Sequence, residues 1–137
     1  MCDPYIFNRN FDSMKKVIAT ENAPKAVGPY SQAIEVNGTL YISGQIPVNP
    51  ADGQVQTEIT AAAHQSLKNI GAILKEAGMD YDNVVKTTVL LADIADFKAV
   101  NEVYAEYFTG DKPARACYQA AALPLGVKVE IEAIAVK

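Results

Sequence analysis

Residues 57–92, TEITAAAHQSLKNIGAILKEAGMDYDNVVKTTVLLA, change period half-way along, and that change decides the fold. Ile59, Ala63, Ser66, Ile70, Ile73, Leu74 and Ala77 fall on one side of a wheel drawn at 3.6 residues per turn, which predicts an amphipathic helix with one buried face. Gly78 is placed to stop it. Beyond the stop, VVKTTVLLA at 84–92 is β-branched and continuous, the pattern of a strand inside a sheet.

Working outward, Asp93 or Asp96 can cap a second helix that runs to about Phe108. Its apolar stripe is Phe97, Val100, Tyr104, Tyr107 and Phe108. Upstream, KKVIA at 15–19 reads as a first strand, and NAPKAVGPYSQ at 22–32 as a turning segment. AIEVNGTLYISG at 33–44 is a hairpin around Asn37-Gly38, the pair that tolerates a tight I′ turn. QIPVNPADGQV at 45–55 is loop, because its prolines and Asp52-Gly53 interrupt any strand. Downstream, PARACYQAAALPLGVKVEIEAIAV at 113–136 holds two strand-like runs joined at a Pro-Leu-Gly corner.

The order strand, hairpin, helix, strand, helix, strand, strand predicts an α+β domain with a six-stranded mixed sheet and both helices on one face. The other face is then an open, apolar one for another subunit to close. Residues 14–137 form the single domain. MCDPYIFNRNFDS at 1–13 has no period and precedes a second Met, so it reads as an N-terminal extension, an expression scar or an upstream start.

The chain of 137 residues is half apolar and one-fifth charged, the balance of a folded globular domain. A net charge of -4 gives no basic footprint for a phosphate backbone, which argues against nucleic acid as a partner. No apolar run is long enough to span a bilayer, and no basic-then-apolar leader opens the sequence. Cys2 and Cys117 are far apart with no C-x-x-C, which fits a reducing cytoplasm better than a disulfide framework. One histidine without clustered Cys or Asp gives no basis for a metal site, and no glycine-rich phosphate loop points to a nucleotide cofactor.

Arg115, Cys117 and Gln119 share one face of their strand, and Lys128, Glu130 and Glu132 share one face of the next. Each set reads either as a solvated strand face or as part of a site. Small neighbours leave room around the Arg115 guanidinium, whose fork suits a carboxylate. If the Pro-Leu-Gly corner closed a tight hairpin, facing positions would sum to about 249. Arg115 would then face Ile134, about 13 Å along the strand from Glu130. The two charges are therefore not a simple cross-strand pair: they serve separate purposes, or the strands are not neighbours and both converge on something between them. Cys117 lacks a base, since His64 lies about 140° from Ile59 on its helix, so an inert thiol is the better reading. Asn101, at the edge of its apolar stripe, bonds either local backbone or a ligand. Gly28-Pro29-Tyr30 and Ser43-Gly44 are turn and strand-end signals that also allow close backbone approach to a ligand.

The segments ATENAPKAVGPYSQA, LYISGQIPVNP, FKAVNEVYAEYF and PARACYQAAALPLGVKVEIEAIAV, in that order, make residues 14–137 resemble the RidA/YjgF family of enamine/imine deaminases. The resemblance implies a chorismate-mutase-like fold and a homotrimer whose three sheets form a central barrel, with sites in the clefts between subunits. It also implies Arg115 on a substrate carboxylate and Glu130 on the attacking water. Tyr30, Ser43, Gly44, Asn101 and the backbone near Cys117 would line the pocket, with Tyr30 contributed across the interface. Ala116 stands where the family often has Ser or Thr. The implied activity is cofactor-independent hydrolysis of 2-iminobutanoate and 2-iminopropanoate, released by pyridoxal-phosphate-dependent dehydratases, to 2-oxo acids and ammonium. The competing reading is a non-catalytic trimer that captures small carboxylates or partner proteins.

Overall fold

Asn37 and Gly38 take positive φ angles of 51° and 80° and fold β2 (Ala33–Val36) back on β3 (Thr39–Gln45), as the Asn-Gly pair predicts. They belong to a computed structural model that describes residues 14–137; the extension read over residues 1–13 lies outside the described residues. The remaining elements are β1 (Lys16–Ile18), α1 (Ile59–Glu76), β4 (Val84–Leu91), α2 (Phe97–Tyr107), β5 (Ala114–Gln119) and β6 (Val129–Val136). Among the described residues, no helix is long and apolar enough to cross a membrane.

Helix α1 begins where the Glu58 carboxylate accepts from the Thr60 and Ala61 amides, and its chain leaves through Gly78 at φ 74°. Asp93 caps a 3₁₀ turn over Ile94–Asp96 that leads directly into α2. Asp96, the residue before α2, makes no side-chain cap.

The strands form one mixed sheet in the order β1-β2-β3-β6-β4-β5. Strand β6 inserts antiparallel between β3 and β4, while β4 and β5 are parallel. β5 and β6 are thus separated by β4 and form no hairpin, which decides between the alternatives that the strand spacing leaves open. Leu40, Val89, Leu91, Val129 and Ile131 point from one sheet face into a core with Leu67, Ile70, Ile73 and Leu74 of α1. Each such side chain stabilises the fold by roughly 1.5–3 kcal/mol. Val100, Val103 and Tyr104 carry α2 onto the same core.

The uncovered face differs from the apolar surface expected. Lys86, Thr88 and Glu132 project there beside Tyr41 and Ile134, around a shallow hollow of about 220 Å³. Alternation on β4 and β6 sends buried aliphatics to the helices and these polar residues outward, so the open face is mixed.

Candidate active site

Arg115 lies on edge strand β5, opposite Thr87 of β4. Its Nη1 donates to Asn101 Oδ1 at 2.7 Å, and its guanidinium carbon lies 4.9 Å from the Tyr104 ring centroid and 5.5 Å from that of Phe97. All three partners come from α2, one turn apart in succession or nearly so, so a single helix face holds the cation. No carboxylate among the described residues lies within ion-pair distance of it. An exposed guanidinium held by an amide oxygen and two aromatic faces, with no ion-pair partner among the described residues, is a ready receptor for a carboxylate. Asn101 is therefore bonded to the arginine, and Phe97, expected in the buried stripe, is 40% exposed because it covers that charge.

Glu130 projects from β6 onto the open face, opposite Leu90 of β4. Burial, and then the negative charge of Glu132, push its carboxyl above the usual glutamate range. The side chain lies over Gly44, where β3 carries two residues, Ser43 and Gly44, against Glu132 of β6 in a bulge. A Cβ at position 44 would meet Glu130 Oε1 at 2.8 Å. The same bulge anchors the loop bearing Tyr30, because Ser43 Oγ donates to the Ser31 carbonyl at 2.6 Å and Ser43 N to that of Gln32 at 2.9 Å. Gln32, itself buried, ties the loop further by accepting from Thr20 N and donating to the carbonyls of Thr20 and Pro24. Tyr30 is left half-exposed on the wall of a pocket of about 290 Å³ that also includes Gly44 and Leu125.

The predicted residues thus fall into two groups: Arg115, Asn101 and Cys117, and separately Glu130, Gly44, Ser43 and Tyr30. Register puts Arg115 on the helix-covered face with Thr87, and Glu130 on the opposite face with Leu90. Three residues along β4 and two strand spacings separate their backbones by about 14 Å. Within one chain they do not meet. Phe97, Tyr104 and Thr87 join the arginine group, and sequence reading missed that role because all three look like core or strand residues.

Cys117 is partly buried against the core, and burial raises its thiol pKa, with the Arg115 charge opposing. It is not poised as a thiolate nucleophile. His64 is engaged elsewhere, sharing a 2.8 Å hydrogen bond with the Tyr107 hydroxyl, with Glu106 3.7 Å from its other nitrogen. Among the described residues, no three His, Cys, Asp or Glu side chains gather as a metal site would need.

The profile of the endoribonuclease L-PSP family matches residues 20–137. A mouse protein named 2-iminobutanoate/2-iminopropanoate deaminase is 60% identical over 125 residues, covering 90% of this chain and 93% of the mouse protein. The crystal structure of the YjgF gene product of Escherichia coli superposes with a TM-score of 0.87 at 49% identity, over 89% of this chain and 98% of that one. That of Escherichia coli TdcF with bound serine does so with a TM-score of 0.87 at 42% identity, also over 89% and 98%. Since the matched region includes both groups of site residues, the chain belongs to the endoribonuclease L-PSP, or RidA/YjgF, family.

Proposed function

We propose that the protein hydrolyses small 2-imino acids, 2-iminobutanoate and 2-iminopropanoate, to 2-oxo acids and ammonium without a cofactor. The observation that carries this reading is the Arg115 guanidinium, presented on Asn101 and two aromatic rings with no carboxylate among the described residues at ion-pair distance. The name of the mouse relative and the serine bound in TdcF, a small amino acid with a carboxylate, support it.

Arg115 clamps the substrate carboxylate, which fixes C2 of the iminium for attack. Glu130, in its carboxylate form, takes a proton from water as the water oxygen bonds to C2, and the burial that raises its pKa makes it a stronger base for that transfer. The C=N double bond becomes a single bond in the resulting carbinolamine. Glu130 then delivers its proton to nitrogen, and the carbinolamine hydroxyl proton goes to solvent as the C–N bond breaks and C=O forms. Ammonia leaves and is protonated in solution. Iminium and water have become 2-oxo acid and ammonium, with no redox change.

Because Arg115 and Glu130 lie on opposite sheet faces about 14 Å apart, one chain supplies only half of this machinery. We infer a homotrimer in which Arg115, Asn101 and Cys117 of one subunit face Glu130, Gly44, Ser43 and Tyr30 of the next. Its substrates are the imines that pyridoxal-phosphate-dependent dehydratases release, which places the protein beside those enzymes in the cytoplasm.

The test is a coupled assay in which a dehydratase generates the imine and appearance of 2-oxo acid is followed with and without this protein. Acceleration that Arg115→Ala abolishes is expected. Saturable 2-oxobutanoate binding without acceleration would instead make the protein a carboxylate binder.

A further inference from the structure

We propose that Tyr104 and Thr87 are positioning residues for Arg115, the Tyr104 ring being pinned by the Thr87 hydroxyl so that it sets the plane in which the guanidinium meets a carboxylate. The inference rests on the clamp reading of Arg115 given above.

Thr87 faces Arg115 directly across the β4–β5 pair, and both its neighbours in register belong to the same layer of the sheet. Its hydroxyl shares a 2.7 Å hydrogen bond with the Tyr104 hydroxyl. Thr87 is 1% exposed and Tyr104 6% exposed, so neither is placed to contact substrate freely. Burial raises the Tyr104 pKa, which keeps the phenol neutral and able to donate. The same ring packs at a 40° tilt against Phe108 with centroids 4.5 Å apart and carries the Arg115 cation at 4.9 Å.

Packing alone does not call for this arrangement. A buried hydroxyl pair contributes little over an apolar pair of the same shape, but it fixes orientation where an apolar pair would leave the ring free to tilt. With Phe97 on a second side and Asn101 on Nη1, the guanidinium is constrained from three directions. A clamp held in this way binds substrate and transition state alike, so loosening it acts on KM more than on kcat.

The experiment compares Thr87→Val, Thr87→Ser and Tyr104→Phe with the unaltered protein in the coupled assay. Inhibition by 2-oxobutanoate and the Arg115 Nε–Hε resonance, assigned with Arg115→Lys, are measured on the same samples. Thr87→Val and Tyr104→Phe are expected to raise KM and the inhibition constant about three- to tenfold, the factor of one buried hydrogen bond, with kcat within about twofold. The Arg115 resonance shifts or broadens in both, and Thr87→Ser restores KM and resonance together. A purely structural role predicts lower thermal stability with unchanged KM and an unchanged resonance, and that result overturns the proposal. Should Arg115→Ala keep full activity, the clamp reading fails, while the resonance still decides whether Thr87 and Tyr104 orient the guanidinium. If Thr87→Val does not fold, Tyr104→Phe, which keeps the ring, supplies the same comparison.

Discussion

The Glu130 side chain occupies the space that a Cβ on Gly44 would need, with Oε1, Cδ and Cγ at 2.8, 2.9 and 3.1 Å from that position. Gly44 does not have the positive φ that would demand glycine for backbone reasons. Its lack of a side chain serves Glu130. If Glu130 activates water as proposed, Gly44→Ala is expected to displace the carboxylate and lower kcat/KM about 100-fold, the cost of misplacing a catalytic group by an ångström. Thermal stability should change little. Activity close to that of the unaltered protein, measured in the coupled assay, would show that Glu130 works from another rotamer.

On the proposed mechanism, Glu130 also links activity to pH and stability. Its folded-state pKa is raised, so the folded protein holds this proton more tightly than the unfolded chain. That contribution is present below the unfolded value, about 4.3, and is lost as pH rises through the folded value. Above the unfolded value the linkage therefore works against the folded state. Glu130→Gln should raise Tm at pH 7 but not at pH 4, while lowering kcat by roughly 10²–10⁴-fold, the usual range for a lost acid/base. Calorimetry at the two pH values decides it, and a lower Tm at pH 7 contradicts it.

Glu132 is the second cause of that shift. Removing its charge with Glu132→Gln should move the acid limb of the kcat/KM profile to lower pH and leave the plateau in place. An unmoved limb would mean that solvent screens Glu132 from Glu130.

The elements were legible because each follows from local pattern. Asn37-Gly38 dictates a turn, the stripe from Ala63 to Ala77 dictates a buried helix face, and β-branched 84–91 dictates an interior strand. Sheet order was less accessible. The separation of Arg115 from Glu130 allowed β5 and β6 to be non-neighbours, but only long-range pairing inserts β6 between β3 and β4. The site residues came from family resemblance, since strand alternation gives Arg115 and Glu130 no special status. Phe97 illustrates the rest: helical periodicity assigns it to the core, yet α2 turns it over a cation on a strand that no sequence period links to it.

Gly71, in the middle of α1, faces Tyr81. A Cβ there would collide with the Tyr81 hydroxyl and lie 2.7 Å from its ring carbon Cζ, while that hydroxyl donates to the Leu67 carbonyl at 2.7 Å. In an open helix Gly→Ala is stabilising by about 1 kcal/mol. Here the overpacking should reverse the sign, with Gly71→Ala costing about 1–3 kcal/mol in denaturant unfolding. Tyr81→Phe in the same chain should recover part of that loss by removing the atom in the way. Stabilisation by Gly71→Ala alone would show that Tyr81 swings aside at no cost.

If each site takes Arg115 from one subunit and Glu130 from its neighbour, two inactive variants must complement each other. Arg115→Ala and Glu130→Gln chains, mixed in equal amounts and reassembled, place an intact arginine at half of the interfaces and an intact glutamate at half. In a closed ring of three, about a quarter of the sites then hold both. Co-expression with distinct tags and purification of the mixed assemblies, each a ring with one complete site of three, should therefore yield about a third of the unaltered activity, in a particle of three chains by light scattering. A site completed within one chain predicts none, because every chain then lacks one of the two groups. The same measurement separates the assembly from the chemistry: a trimer without recovered activity retains the oligomer and removes the shared site.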